Sequence, residues 1–335
     1  MDSHRKLARV LALFGVACLL AACGSPSPTP APSQVAEPAN GPPVTATPVG
    51  VVVAVGGRPE GIAVDAATGV VAVGLRSPSA IVVLDRGGHV LRRIAIPGAP
   101  RHLRFQASSG LLLVPAESAN AVVLVDVTKG VVQSTVPVGR QPHDVVAAGE
   151  RIFVSDEQAN DISVIVSARL DRTLPAPTQP GGVAATAGTF AVLGVRSHTL
   201  EAFDAQSFAT LGTAPAGTAP THVVADNEGH LYVADTGGEA VLVYAVAPAL
   251  SQIARLSVPG KPYGLALDPV RHRLWVTLTA TNTLEEFDIS GGQPKRLATF
   301  PSVRQPNSVA VDEKSGMVFV TGTADGVVQI VTPSM

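Results

Sequence analysis

A proline-led phrase returns seven times between Pro59 and Pro306, and its spacing limits the fold more than any other feature of the chain. The phrases read PEGIAVD (59–65), PRHLRFQ (100–106), PHDVVAA (142–148), PGGVAAT (180–186), PTHVVAD (220–226), PYGLALD (262–268) and PNSVAVD (306–312). Their prolines stand 41, 42, 38, 40, 42 and 44 residues apart. A period of roughly 40–45 residues holding several short apolar runs is the pattern of a β-propeller blade of four strands. Seven phrases therefore predict an all-β, seven-bladed propeller.

Within a unit, turn chemistry separates the strands. In the fifth, HVVAD (222–226), HLYVAD (230–235), AVLVYAV (240–246) and IARLSV (253–258) read as strands running from the axis outward. Asp65, Asp226, Asp268 and Asp312 fall just after the inner strand, where an Asx side chain bonds the backbone of a tight turn. The last unit ends near Val331 after only three strands, and GVVVAV (50–55) precedes the first proline. The sequence thus predicts closure of the ring by pairing residues 50–55 beside residues 327–331, which covers the open edge of the final blade.

These phrases, with IFVSDEQANDISVI (152–165) and LWVTLTATNTLEEFD (274–288), resemble the YVTN-type propeller repeats of bacterial envelope proteins, the YncE-like group, over about residues 48–332. The fifth blade, GHLYVADTGGEAVLVY (229–244), is also similar to an NHL repeat. The resemblance implies the fold and an envelope setting. It names no activity, because propellers host unrelated functions.

Arg5, Lys6 and Arg9 precede an apolar run, Leu11–Leu20, and then Leu20-Ala21-Ala22-Cys23. This resembles a bacterial lipoprotein signal, with residues 1–22 removed and Cys23 carrying the lipid, palmitate included. Residues 23–48 are rich in Pro, Ser, Thr and Ala with Glu37 the sole charge, the composition of a disordered, semi-extended tether. Residues 49–333 are then the propeller, expected to be a monomer anchored to the extracytoplasmic side of a membrane.

Cys18 leaves with the leader, so thiol and disulfide chemistry are not expected of the mature chain. The leader also removes three of 24 basic residues and one of 26 acidic ones, leaving 21 against 25. That balance, and an aromatic content of 4%, disfavour nucleic acid as a partner. No nucleophile elbow, HExxH helix, P-loop or dinucleotide fingerprint occurs.

The residues flanking the repeat prolines are expected to ring one mouth of the central channel, here called the proline face. The ligand- or partner-binding rim comprises Arg58, Glu60, Arg101, His102, Arg104, His143, Asp144, His222, Lys261, Tyr263 and Asn307. His102, His143 and His222 all lie within two residues of a repeat proline; converging beside Glu117, Asp144 and Glu157 they would hold a divalent cation. Polar residues tolerated at a hydrated mouth are the simpler account, and no cofactor is expected on that account. Arg104 replaces the small apolar residue found at Ala63, Val146, Ala184, Val224, Ala266 and Ala310, so it needs a carboxylate or water. It is either a paired channel-wall residue or part of an anion clamp with Arg58, Arg101 and Lys261.

Two functions follow as expectations. One is a lipid-anchored binding or scaffold module taking an envelope protein, peptide or cell-wall component on the rim. The other is an enzyme of the lactonase or metal-dependent lyase type, with His143 or His222 as base and Glu117 or Glu157 assisting.

Overall fold

The computed structural model describes residues 37–291 and 293–333; the leader, Cys23 and the first part of the tether lie outside them. Among the described residues the chain forms seven four-stranded antiparallel sheets, the blades of a β-propeller. In six blades the inner strand begins at the repeat proline itself: Pro59–Val64, Pro142–Ala148, Pro180–Thr186, Pro220–Ala225, Pro262–Asp268 and Pro306–Val311. Proline tolerates this position because it opens the strand and needs no ladder N–H there. Outer strands such as Val90–Ala95 and Arg169–Pro175 are largely exposed.

Closure is as the sequence predicts. Val51–Ala54 forms the outermost strand of blade 7, with Val51 opposite Ile330 and Ala54 opposite Val327. The seam is reinforced on the inside, where Thr323 Oγ1 donates to the Pro59 carbonyl (2.6 Å) and Asn307 Nδ2 to Glu60 Oε1 (3.1 Å). A matching hydroxyl joins blades 5 and 6, Thr236 Oγ1 to the Pro262 carbonyl at 2.5 Å.

Apolar side chains fill the spaces between blades. Phe153, Phe190 and Phe203 stack at 3.9 and 4.9 Å between ring centroids across blades 3 and 4. Trp275 is 1% exposed in the second strand of blade 6, the core position its sequence context suggests. The four predicted aspartates cap their turns. Asp226 Oδ1, for example, accepts the N–H groups of Glu228 (2.8 Å) and His230 (2.9 Å), and Asp65, Asp268 and Asp312 do likewise.

Sequence reading missed one staple. Asn120, Asn160 and Asn282 end the hairpins between second and third strands with positive φ (50°, 58° and 53°). Each Oδ1 accepts the N–H of the glutamine preceding the next repeat proline: Gln141 (2.9 Å), Gln179 (2.7 Å) and Gln305 (2.9 Å). Asparagine tolerates the left-handed region and supplies the acceptor in one residue. Its signal was an Asn at a near-constant distance before the next repeat proline.

The end of the supposed tether is seated on the ring. Ala39 N–H donates to Thr279 Oγ1 (3.0 Å), Asn282 Nδ2 to the Pro42 carbonyl (2.8 Å) and Arg304 Nε to the Gly41 carbonyl (3.0 Å). Gly41 is required by close approach, since a Cβ there would stand 2.7 Å from Asn282 Oδ1. Residues 39–42 therefore form a strap on the ring, held through its backbone N–H and carbonyl groups rather than by apolar side chains.

Candidate functional site

The register of each regular inner strand breaks just after the repeat proline, between Pro142 and Asp144 in blade 3 and between Pro220 and His222 in blade 5. Such bulges re-aim side chains, and here they turn residues of the expected rim inward. Blade 2 departs further: its inner strand is only Arg104–Phe105, with Pro100 making an isolated bridge to Ala116. That frees His102, whose N–H bonds the His143 carbonyl of the next blade (3.4 Å).

The result is a plug of polar side chains at the proline end of the channel. His102, His143 and His222 bring one ring nitrogen each within 4.8 Å of one another. His102 Nε2 and His222 Nε2 are 3.0 Å apart, with the rings edge to face at 4.6 Å between centroids. His143 lies 5.1 Å from the His102 ring, and its Nδ1–H donates to Glu157 Oε2 (3.1 Å), which leaves Nε2 for the centre. Gln179 Nε2 donates to the other Glu157 oxygen (2.7 Å). Tyr263 stands edge-on to His222 at 4.4 Å.

Burial sets the electrostatics. It pushes His102 well below the ordinary imidazole range, helped by the nearby charges of His143, Arg101, Arg104 and Arg76. His222 is lowered in the same way, by burial and then by His102 and His143, against a small opposing pull from Asp144. Both rings are therefore neutral at physiological pH, each with a lone pair to offer. Burial would raise Glu157, but the His143 hydrogen bond and charge, Gln179 and Arg101 outweigh it and hold the carboxylate at about 2. Tyr263 is raised by burial, with Arg101 opposing. Arg101 keeps its proton in spite of burial because Tyr263, Glu60, Glu117 and Glu157 surround it.

Glu60, His143, Asp144, His222, Tyr263 and Asn307 are all buried, so they are not an open rim. Arg58 is exposed and Lys261 half-buried, the latter 3.9 Å from Glu239; neither is among the residues lining the cavities beside Arg104, and no four-cation clamp forms with Arg101 and Arg104. Asp144 does not face the histidines as a free carboxylate. Its Oδ1 accepts the Val145 N–H (2.8 Å) and its Oδ2 the Val183 N–H (3.1 Å), tying blade 3 to blade 4. Glu117 is likewise committed, to Arg76 Nη2 at 2.6 Å. Arg104 is unpaired: its Nε is buried with no hydrogen-bond partner, and it forms no ion pair among the described residues. The expectation of a paired wall arginine is not met.

Three imidazoles at this spacing suit a borderline divalent ion. Zn–N bonds of about 2.0–2.1 Å in tetrahedral geometry put ligand nitrogens roughly 3.3 Å apart, close to the 3.0 Å between His102 and His222. Glu157 on the far nitrogen of His143 is the outer carboxylate that such sites use to fix a ligand ring. A second group, Asp226, Glu228 and His230, is explained by its turn, where His230 Nδ1–H donates to Asp226 Oδ2 (2.8 Å).

Fold and site together define a seven-bladed propeller with a three-histidine centre in its channel. No family model and no curated protein matches the chain in sequence. Solved structures do match in fold. A chain of Kuenenia stuttgartiensis hydrazine synthase is 16% identical with a TM-score of 0.72, covering 83% of this chain and 96% of that one. Virginiamycin B lyase from Staphylococcus aureus is 13% identical with a TM-score of 0.70 (84% and 98% covered). The Cps50 (Swd1) β-propeller domain of Myceliophteria thermophila is 11% identical with a TM-score of 0.72 (85% and 100% covered). At these identities the likeness shows the fold alone.

Proposed function

We propose that the chain is an extracytoplasmic lipoprotein, lipidated at Cys23, whose propeller is a binding module, and that it binds through a divalent d-block metal ion held by His102, His143 and His222. The observation that carries this is the meeting of three imidazoles from blades 2, 3 and 5, two of them buried and His102 partly so, with a carboxylate on the outer nitrogen of one. Between neutral rings the 3.0 Å contact of His102 Nε2 and His222 Nε2 is a single N–H···N hydrogen bond. A cation at the centre replaces it with two coordinate bonds. Docking of a protein, peptide or cell-wall component on the rim is the weaker form of binding, because six of the rim side chains face inward.

The test is zinc titration calorimetry on the untagged full-length chain and on His102→Ala/His143→Ala/His222→Ala. The wild type should bind one ion, and the variant, folded by circular dichroism, at least about 100-fold more weakly. Equal binding by the two, or none by either, sinks the metal centre. For the anchor, labelled palmitate should enter the wild type and not Cys23→Ser.

A second reading is an enzyme of lactonase or metal-dependent lyase type. His143, oriented by the Glu157 carboxylate, and His222 beside Tyr263 favour it as side chains placed together to exchange a proton, and virginiamycin B lyase shares the architecture. Turnover of a lactone or cyclic-ester panel with Mg or Mn, lost in His222→Ala, would put it ahead; inactivity across the panel would remove it.

A further inference from the structure

Below the histidines the channel is not filled. A cavity of about 60 Å³ is lined by His102, His222, Arg104 and Asp144. It opens beside a larger one of about 630 Å³, which runs along Ile62, Leu265 and Val309 to a mouth at Asp65, Asp226 and Glu313. Arg104 lines both. A water occupies about 30 Å³ in the liquid, so the small cavity holds two waters or one carboxylate group.

Among the described residues Arg104 is the sole Arg or Lys lining either cavity. Its guanidinium stands where the other six blades put Ala or Val. The one carboxylate in the small cavity, Asp144, has both oxygens bonded to backbone N–H groups. A guanidinium kept on a channel wall with no protein partner, and with its buried Nε unsatisfied, is arranged for an oxyanion from outside; a carboxylate matches its fork.

The mouth narrows the class. Asp65, Asp226 and Glu313 make it acidic, which repels phosphates and other polyanions, while the apolar walls between mouth and Arg104 accept a short carbon chain.

We infer that the channel is a binding site for a small organic monocarboxylate, entering from the face opposite the repeat prolines, its carboxylate on Arg104 and within reach of the three-histidine centre. The second contact rests on the metal reading above; the Arg104 contact does not.

Cobalt(II) separates the two. The full-length chain is loaded with Co(II) and propionate is titrated while the d–d absorption is followed. A saturable change in the bands is expected, with propionate affinity reduced at least 10-fold in Arg104→Gln and partly restored in Arg104→Lys, and with cobalt affinity not reduced in either. Propionate binding of equal strength in wild type and Arg104→Gln overturns the inference, as does no binding. Should cobalt fail to bind, calorimetry of propionate with the metal-free chain decides alone: Arg104-dependent heat keeps the carboxylate site and discards the metal, and no heat discards both. Ala107→Trp, an exposed substitution at the mouth, covers the case in which Arg104 variants do not fold. It should slow propionate association at least 10-fold, and an unchanged rate would place entry elsewhere and overturn the route.

Discussion

At the proline end of the channel, bulged strand starts turn His143, His222, Tyr263 and Asn307 inward, and the shortened inner strand of blade 2 adds His102. At the other end four of the seven inner strands finish in Asx turns, at Asp65, Asp226, Asp268 and Asp312, around a wide mouth. One end spends its polar groups mainly on contacts between blades; at the other each aspartate caps its own turn, with Asp312 also paired to Arg86 of blade 1. Chemistry thus gathers at the closed end, and access at the open one.

The comparison is broken most severely through Arg101. Its charge acts on Glu60, Glu117 and Glu157, so Arg101→Met leaves this largely buried acidic group short of a cation. A loss on the order of 3 kcal/mol is expected in denaturant titration. A loss below about 1 kcal/mol would show that the plug is not an electrostatic unit.

Glu157→Gln comes next. It keeps the shape but weakens the hold on His143, and zinc affinity should fall about 10–100-fold. Stability supplies the pH readout. The folded pKa of Glu157, about 2, lies below its ordinary value of 4.5, so its contribution is present above pH 4.5 and lost as the pH falls toward 2. The stability gap between wild type and Glu157→Gln should therefore shrink over that window, from on the order of 2 kcal/mol at neutral pH. A gap that stays constant would mean that Glu157 is not held as a paired carboxylate.

The smallest effect is expected at the open end. Asp226→Ala removes an acceptor for two turn N–H groups and should cost about 1 kcal/mol, with zinc affinity unchanged. A large loss of metal there would erase the distinction between the two ends.

The ring itself was legible in the sequence. The proline period counted the blades, and the lone strand Val51–Ala54 pairs where the missing fourth strand was expected. The three histidines and Arg104 also stood out. What period and offset do not carry is side-chain direction: His143 and His222 turn inward because of bulges after Pro142 and Pro220, and a pattern of period two assumes there are none. The commitments of Asp144 and Glu117 were hidden for a related reason, since their partners, Val183 and Arg76, belong to other blades. The strap at residues 39–42 has no apolar periodicity at all; its binding residues, Thr279, Asn282 and Arg304, lie some 240 positions or more away.

The most direct test is elemental analysis of the untagged full-length chain, purified after export, beside the folded His102→Ala/His143→Ala/His222→Ala variant. About one d-block metal ion per chain, absent from the variant, is the result predicted by a three-histidine centre in the propeller channel. A folded wild type that carries no metal and takes up none when zinc is supplied, or a variant that retains the wild-type content, would contradict it.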